Sequence, residues 1–177
     1  MIRYGQMPDT PLGRLWIAKS DKGVVALEFQ EDVEELTQSL ESIFKQKPIL
    51  SQDAIREEAA QLDRYFQGKQ INLDLKVDWT RFREFQHDVL LAVFNIPPGQ
   101  TKTYGQIAKE IGRTNNSARA VGRAVATNPI SIIIPCHRVV GVNGELTGYG
   151  GPGGIKTKAW LLSLEGFEFG QQLQFPL

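Results

Sequence analysis

Two short apolar-rich runs, "GRLWIA" and "VVALEF", flank Asp21-Lys22-Gly23, and the glycine-bearing turn between them predicts a β-hairpin. Beyond it Val33, Leu36, Leu40 and Phe44 recur at helical spacing, with Asp32 placed to cap the helix they define. A second helix is predicted from about Ala54 to Gln67, ended by Gly68, since glycine takes the left-handed C-terminal conformation without strain. Ile71, Leu73, Leu75 and Val77 then alternate, as the side chains of a half-buried strand do. Residues 1–79 thus read as a small α+β unit, an antiparallel sheet with helices.

From residue 80 to residue 177 the pattern is mostly helical. Phe82, Phe85, Val89 and Val93 form a stripe that Pro97-Pro98-Gly99 terminates. Thr103 and Gln106 make a capping box, each able to satisfy the other's free backbone donor. The helix it opens carries Ile107, Ala108 and Ile111 and breaks at Gly112; Asn115 or Asn116 then caps a further helix through Thr127. Helix, glycine-led turn and helix make a helix-turn-helix signature. On the second of these helices Ala118, Val121 and Val125 share one side, and Arg119, Gly122, Arg123 and Ala126 the other. The outer face is either a plain solvated surface, or one whose small residues let the backbone approach a ligand while the arginines meet phosphate or base.

Composition adds limits. The 177 residues suffice for one domain or two small ones, and 41% hydrophobic with 23% charged residues is ordinary for a soluble globular protein. No apolar run reaches the ~18 residues of a membrane span, and the start lacks a signal peptide's apolar core, so a cytoplasmic location is expected. One cysteine excludes an internal disulfide and a Cys-rich zinc site, and two histidines are too few for a His-rich one; no metal or cofactor is expected. The net charge is zero, yet residues 1–79 hold 10 basic and 14 acidic residues while residues 80–177 hold 10 and 6. Lys102, Lys109, Arg113, Arg119, Arg123 and Arg138 face a single acid, Glu110, between 102 and 138, the electrostatic footprint of a nucleic-acid binder.

The sole cysteine lies in "IIIPCHRVVG", residues 132–141, where an apolar, strand-like run meets a polar cluster. A lone intracellular cysteine is commonly an inert core thiol. Here His137 and Arg138 can favour the thiolate, which is the nucleophile, and Tyr104 and Asn128 belong to the same polar constellation. Glu165 ends the helix "KTKAWLLSLE", where the helix dipole disfavours a negative charge; His137 is the partner that would compensate it. In an extended segment Cys136 and His137 point to opposite faces. Either the chain turns sharply after Pro135 or a water bridges imidazole and thiol; the water is favoured, with Glu165 orienting His137.

"NPISIIIPCHRVVG", with "TYGQIA", "ARAVGRA", "LTGYGG" and "WLLSLEG", closely resembles the O6-alkylguanine-DNA alkyltransferase family, over about Thr80 to Gly166. The resemblance implies a ribonuclease H-like first domain, a helix-turn-helix second domain, and a monomer that binds duplex DNA through the minor groove. It would flip out an alkylated guanine (or an O4-alkylthymine) and take the alkyl group onto Cys136. His137 and Glu165 would then be the activating relay, Tyr104 the proton donor to guanine N3, Arg119 the filler of the vacated stack, and Asn128 a brace. Thr103, Tyr104, Ala120, Gly122 and Arg123 would meet DNA; Ser131, Val139, Tyr149 and Gly150 would hold the base. Between Tyr149 and Glu165 the chain is two residues longer than the usual family spacing, and Gly150 stands where some members carry serine. A cysteine hydrolase, a helix-turn-helix regulator and a non-catalytic lesion binder are the competing readings.

Overall fold

The structure is a computed structural model and describes residues 1–29, 32–114 and 117–169. The expected hairpin forms from β2 (Gly13–Ser20) and β3 (Gly23–Glu28), paired antiparallel from Trp16↔Glu28 to Ser20↔Gly23. Gly23 is required at that turn: its φ is +144°, and a Cβ would fall 2.5 Å from the Lys76 carbonyl oxygen. β1 (Arg3–Thr10), which the apolar pattern does not announce, pairs with the other edge of β2. The two-residue β4 (Ile49–Leu50) joins β1 in parallel, so the sheet, ordered β3-β2-β1-β4, is antiparallel except at that edge.

One face of the sheet is covered by α1 (Val33–Phe44), where Leu36 and Leu40 pack with Trp16, Ala18, Val25 and Ala26; Asp32 caps the helix by accepting from the Glu34 N–H at 2.7 Å. The opposite face, Leu15, Ile17, Val24 and Leu27, enters the main core, which α2 (Arg56–Phe66) shares. Gly68 takes the left-handed conformation expected after α2.

Residues 71–77 do not form the predicted strand. Their end is hydrogen-bonded to the sheet, through Val24 N–H to Lys76 carbonyl and Asp78 N–H to Val24 carbonyl, at 2.8 and 2.9 Å. The edge of β3 is shared: Leu27 donates to the Pro129 carbonyl at 2.8 Å, so the same edge that would pair a longer strand binds the second half of the chain.

That half packs α3 (Glu84–Phe94), α4 (Tyr104–Glu110), α5 (Ala118–Ala126) and α6 (Ile155–Leu164) around Val89, Val93, Ile107, Val121, Val125 and Leu161. The capping box is present in full at Thr103 and Gln106. The cap expected of Asn115 or Asn116 lies outside the described residues. Short β5 (Lys102–Thr103) and β6 (Val139–Val140) pair in parallel. Before β6 the apolar run is not a strand. Ile132 sits at φ +71°, Ile134 donates back to the Ile130 carbonyl, and Cys136–Arg138 form a 3-10 turn after Pro135. The Asn128 side chain stands in for a neighbouring strand, donating to the Ile134 carbonyl at 2.9 Å and accepting from Ile130 N–H at 3.0 Å. Among the described residues no helix is long and apolar enough to cross a membrane.

Candidate active site

Cys136 opens onto a cavity of about 510 Å³ that Tyr104, Asn128, Ser131, Tyr149 and Gly150 also line. Leu27, Glu28 and Phe29, at the end of β3, close one side, so both halves of the chain build the wall. The cysteine is 9% exposed. Burial pushes its thiol above the ordinary range, opposed by the polar groups of Asn128 and Ser131 and by the charge of Lys158. The resting acceptor is therefore a thiol.

Behind it the 3-10 turn places His137 and Arg138 in the interior. The sharp turn after Pro135, one of the two arrangements open from sequence, is the one adopted. Even so, thiol and imidazole share no hydrogen bond: among the described residues His137 Nδ1 is buried without a partner. His137 Nε2 donates to Glu165 Oε1 at 2.8 Å. Glu165 caps the C-terminus of α6, as expected, but His137 is not its only partner. Arg138 grips both oxygens, Nε to Oε2 at 2.7 Å and Nη2 to Oε1 at 2.8 Å, and the Tyr65 hydroxyl donates to Oε1 at 2.6 Å. Burial alone would raise the carboxyl; hydrogen bonds from His137 and Arg138 outweigh it and hold Glu165 at about 2. Burial lowers His137, against the pull of Glu165, so the imidazole rests neutral beside an ionised carboxylate.

Arg138 is thus not part of a DNA-facing patch; it is 7% exposed and its third nitrogen, Nη1, donates to the Ile96 carbonyl. Lys102 pairs with Glu110, and Arg113 lies over the Phe85 ring. Lys109, Arg119 and Arg123 remain exposed, with no acidic partner among the described residues. On α5 Ala120 and Ala126 are exposed as well, while a Cβ on Gly122 would lie 3.8 Å from the Tyr104 ring, an ordinary contact. Tyr104 shares a hydrogen bond with Thr147 Oγ1 at 2.9 Å, and the Tyr149 hydroxyl is buried without a partner among the described residues. Lys158 on α6 is 1% exposed; it donates to the Val139 carbonyl and, at 3.0 Å, to the Thr147 carbonyl, tying the loop above the cavity to β6. Burial pushes its ammonium down to about 8.

Two family models match the chain. The ribonuclease-like domain of 6-O-methylguanine DNA methyltransferase matches residues 2–79, and the DNA binding domain of 6-O-methylguanine DNA methyltransferase matches residues 84–167. The chain belongs to the 6-O-methylguanine DNA methyltransferase family. The methylated-DNA–protein-cysteine methyltransferase of Methanosarcina acetivorans is 39% identical over 163 residues, covering 92% of this chain and 98% of that protein. That of Shigella flexneri is 38% identical, covering 89% and 92%. The solved structure of Mycobacterium tuberculosis O6-methylguanine methyltransferase superposes with a TM-score of 0.77 at 38% identity, covering 93% of each chain. That of Mycobacterium tuberculosis OGT in complex with DNA gives 0.76 at 37%, covering 92% of each.

In this methyltransferase-family chain Tyr104, Asn128, Ser131, Cys136, Tyr149 and Gly150 meet at one cavity, and Gly122 reaches its edge. His137 and Glu165 stand behind it, and Arg119, Ala120, Arg123 and Thr103 lie on α5 and the start of α4. Val139 does not line the cavity; it is fully buried, with its carbonyl engaged by Lys158. Sequence reasoning missed Lys158 and Tyr65. A lysine inside the apolar stripe of "KTKAWLL" carried the only signal for the first; nothing local marks the second.

Proposed function

We propose that this protein repairs alkylated guanine in duplex DNA by direct, single-use transfer of the alkyl group to Cys136. The observation that carries this reading is the thiol at the wall of a cavity with room for a purine, beside a helix face of small residues and exposed arginines. On substrate binding, the thiol proton passes through water to His137 Nδ1, whose other nitrogen already donates to Glu165. The Cys136 sulfur then attacks the alkyl carbon, the carbon–O6 bond breaks, and its electron pair returns to the purine. Tyr104 would supply a proton at guanine N3 after exchanging its hydrogen bond with Thr147. The product is a thioether, which no group here can hydrolyse, so one transfer ends activity.

The narrow minor groove, about 6 Å wide, suits the side-chain-poor strip of Ala120, Gly122 and Ala126. Arg119 would occupy the stack left by the flipped base, recovering part of a cost of a few kcal/mol; Arg123 and Thr103 would hold the backbone. Asn128, which already spans Ile130 and Ile134, braces the acceptor turn against α5. Backbone groups of Cys136 and Gly150 would hold the base, with Tyr149 and Ser131 lining it. We place the division between the two parts at residues 79/80 and the protein in the cytoplasm. Intact-mass analysis after incubation with O6-methylguanine duplex DNA should find one added methyl, located on Cys136. Cys136→Ala should bind the same DNA unmodified; turnover beyond one methyl per chain would refute the reading.

A further inference from the structure

The carboxylate of Glu165 receives one donor that the proposed chemistry does not call for. Tyr65 lies on α2, 100 positions earlier in the chain, within the residues matched by the ribonuclease-like model. It is 1% exposed, its ring packs edge-on against Phe66, and a phenylalanine would fill the same space. The hydroxyl is the added element, and it is aimed at Oε1. That oxygen thus accepts from Tyr65, from His137 Nε2 and from Arg138 Nη2, while Oε2 accepts from Arg138 Nε. Each donor sharing Oε1 draws charge from it and weakens its hold on the imidazole proton.

We propose that Tyr65 is a positioning residue through which the first part of the chain restrains the acceptor: its hydroxyl limits how far Glu165 raises the basicity of His137, and so keeps Cys136 a thiol until DNA is bound. The proposal rests on the relay reading of His137 and Glu165 given above. The groups facing the relay are Tyr65 from α2, Arg138 and His137 from the acceptor turn, Lys158 from α6 and Tyr149 from the loop above. The resting directions agree with restraint, since burial raises the thiol and lowers the imidazole. A protein consumed by one alkylation gains from a thiol that stray electrophiles do not find ionised.

The test is the rate of Cys136 modification by iodoacetamide against pH, in the full chain without DNA, for wild type, Tyr65→Phe and Glu165→Gln. Tyr65→Phe should modify roughly two- to fivefold faster at pH 7, with the whole profile displaced to lower pH. Glu165→Gln should move it to higher pH. Site-specific 3,5-difluorotyrosine at position 65, a stronger donor of nearly the same shape, should slow modification, and it reports even if the phenylalanine variant folds poorly. An unmoved or upward-moved profile in Tyr65→Phe, with Glu165→Gln still shifting upward, would overturn the restraint and leave the relay standing. If no variant moves the profile, the relay reading itself fails, and the proposal with it.

Discussion

Behind Cys136 the polar groups are matched inside the protein with one exception among the described residues, whereas α5 turns two arginines outward and the cavity keeps an unbonded hydroxyl. Glu165 has its oxygens filled by Arg138, His137 and Tyr65, and in this cluster His137 Nδ1 is the one atom left over among the described residues. In front, Arg119 and Arg123 have no acidic partner among the described residues, and Tyr149 keeps a buried hydroxyl unbonded. Folding fixes the first region; only a ligand can complete the second. Substitutions behind the cysteine should therefore be read in stability and thiol chemistry, and substitutions in front of it in DNA handling.

The largest expected effect is Arg138→Leu. Removing the guanidinium strands a buried carboxylate, and unfolding in urea should show a loss of about 3–5 kcal/mol. The pH dependence follows from the sign of the Glu165 shift. A carboxyl held at about 2, against an ordinary 4.5, contributes stability that is full above the ordinary value and lost as pH falls toward 2. In Arg138→Leu the carboxyl is no longer held so low, so that acid-side loss should shrink. A variant with wild-type stability would show that the matched interior is decorative.

Arg119→Ala comes next. Repair of duplex DNA should slow by about tenfold or more, while reaction with free O6-benzylguanine and unfolding free energy stay within about twofold and 0.5 kcal/mol. Equal losses on both substrates would place Arg119 with the interior group instead. The smallest effect belongs to Gly122→Ala. A Cβ there meets the Tyr104 ring at an ordinary 3.8 Å, so the helix should gain up to ~1 kcal/mol from the lost glycine. Binding to duplex DNA should weaken all the same, measured by titration at fixed salt. Unchanged affinity would mean that the bare strip of α5 does not approach DNA.

What was legible in the sequence was what local chemistry writes. The caps at Asp32 and Thr103, the glycine stops at Gly68 and Gly112, and the Asp21–Gly23 turn each act within a few residues, and each is found where expected. β1 escaped notice because Gly5, Gln6 and Pro8 interrupt its alternation, and its place is decided by pairing with β2. The alternation of residues 71–77 promised a strand, but the edge it needed is divided with Pro129. Arg138 looked like surface charge because its spacing within the patch says nothing of a carboxylate 27 positions on. Tyr65 was invisible for the same reason at greater distance.

Thr103 shows how two demands can narrow one position. Its hydroxyl oxygen accepts from the Gln106 N–H at 3.2 Å to cap α4, and a hydroxyl that accepts still carries a hydrogen to donate. As a helix cap alone, the site would tolerate serine, aspartate or asparagine about equally. With a phosphate strand laid across the start of α4, as proposed, aspartate would bring a second negative charge to it, and only a hydroxyl both closes the helix and still donates outward. A library of every residue at 103, selected first for folding and then for repair, would pass through two sieves of different mesh: several side chains through the first, and little besides threonine and serine through the second.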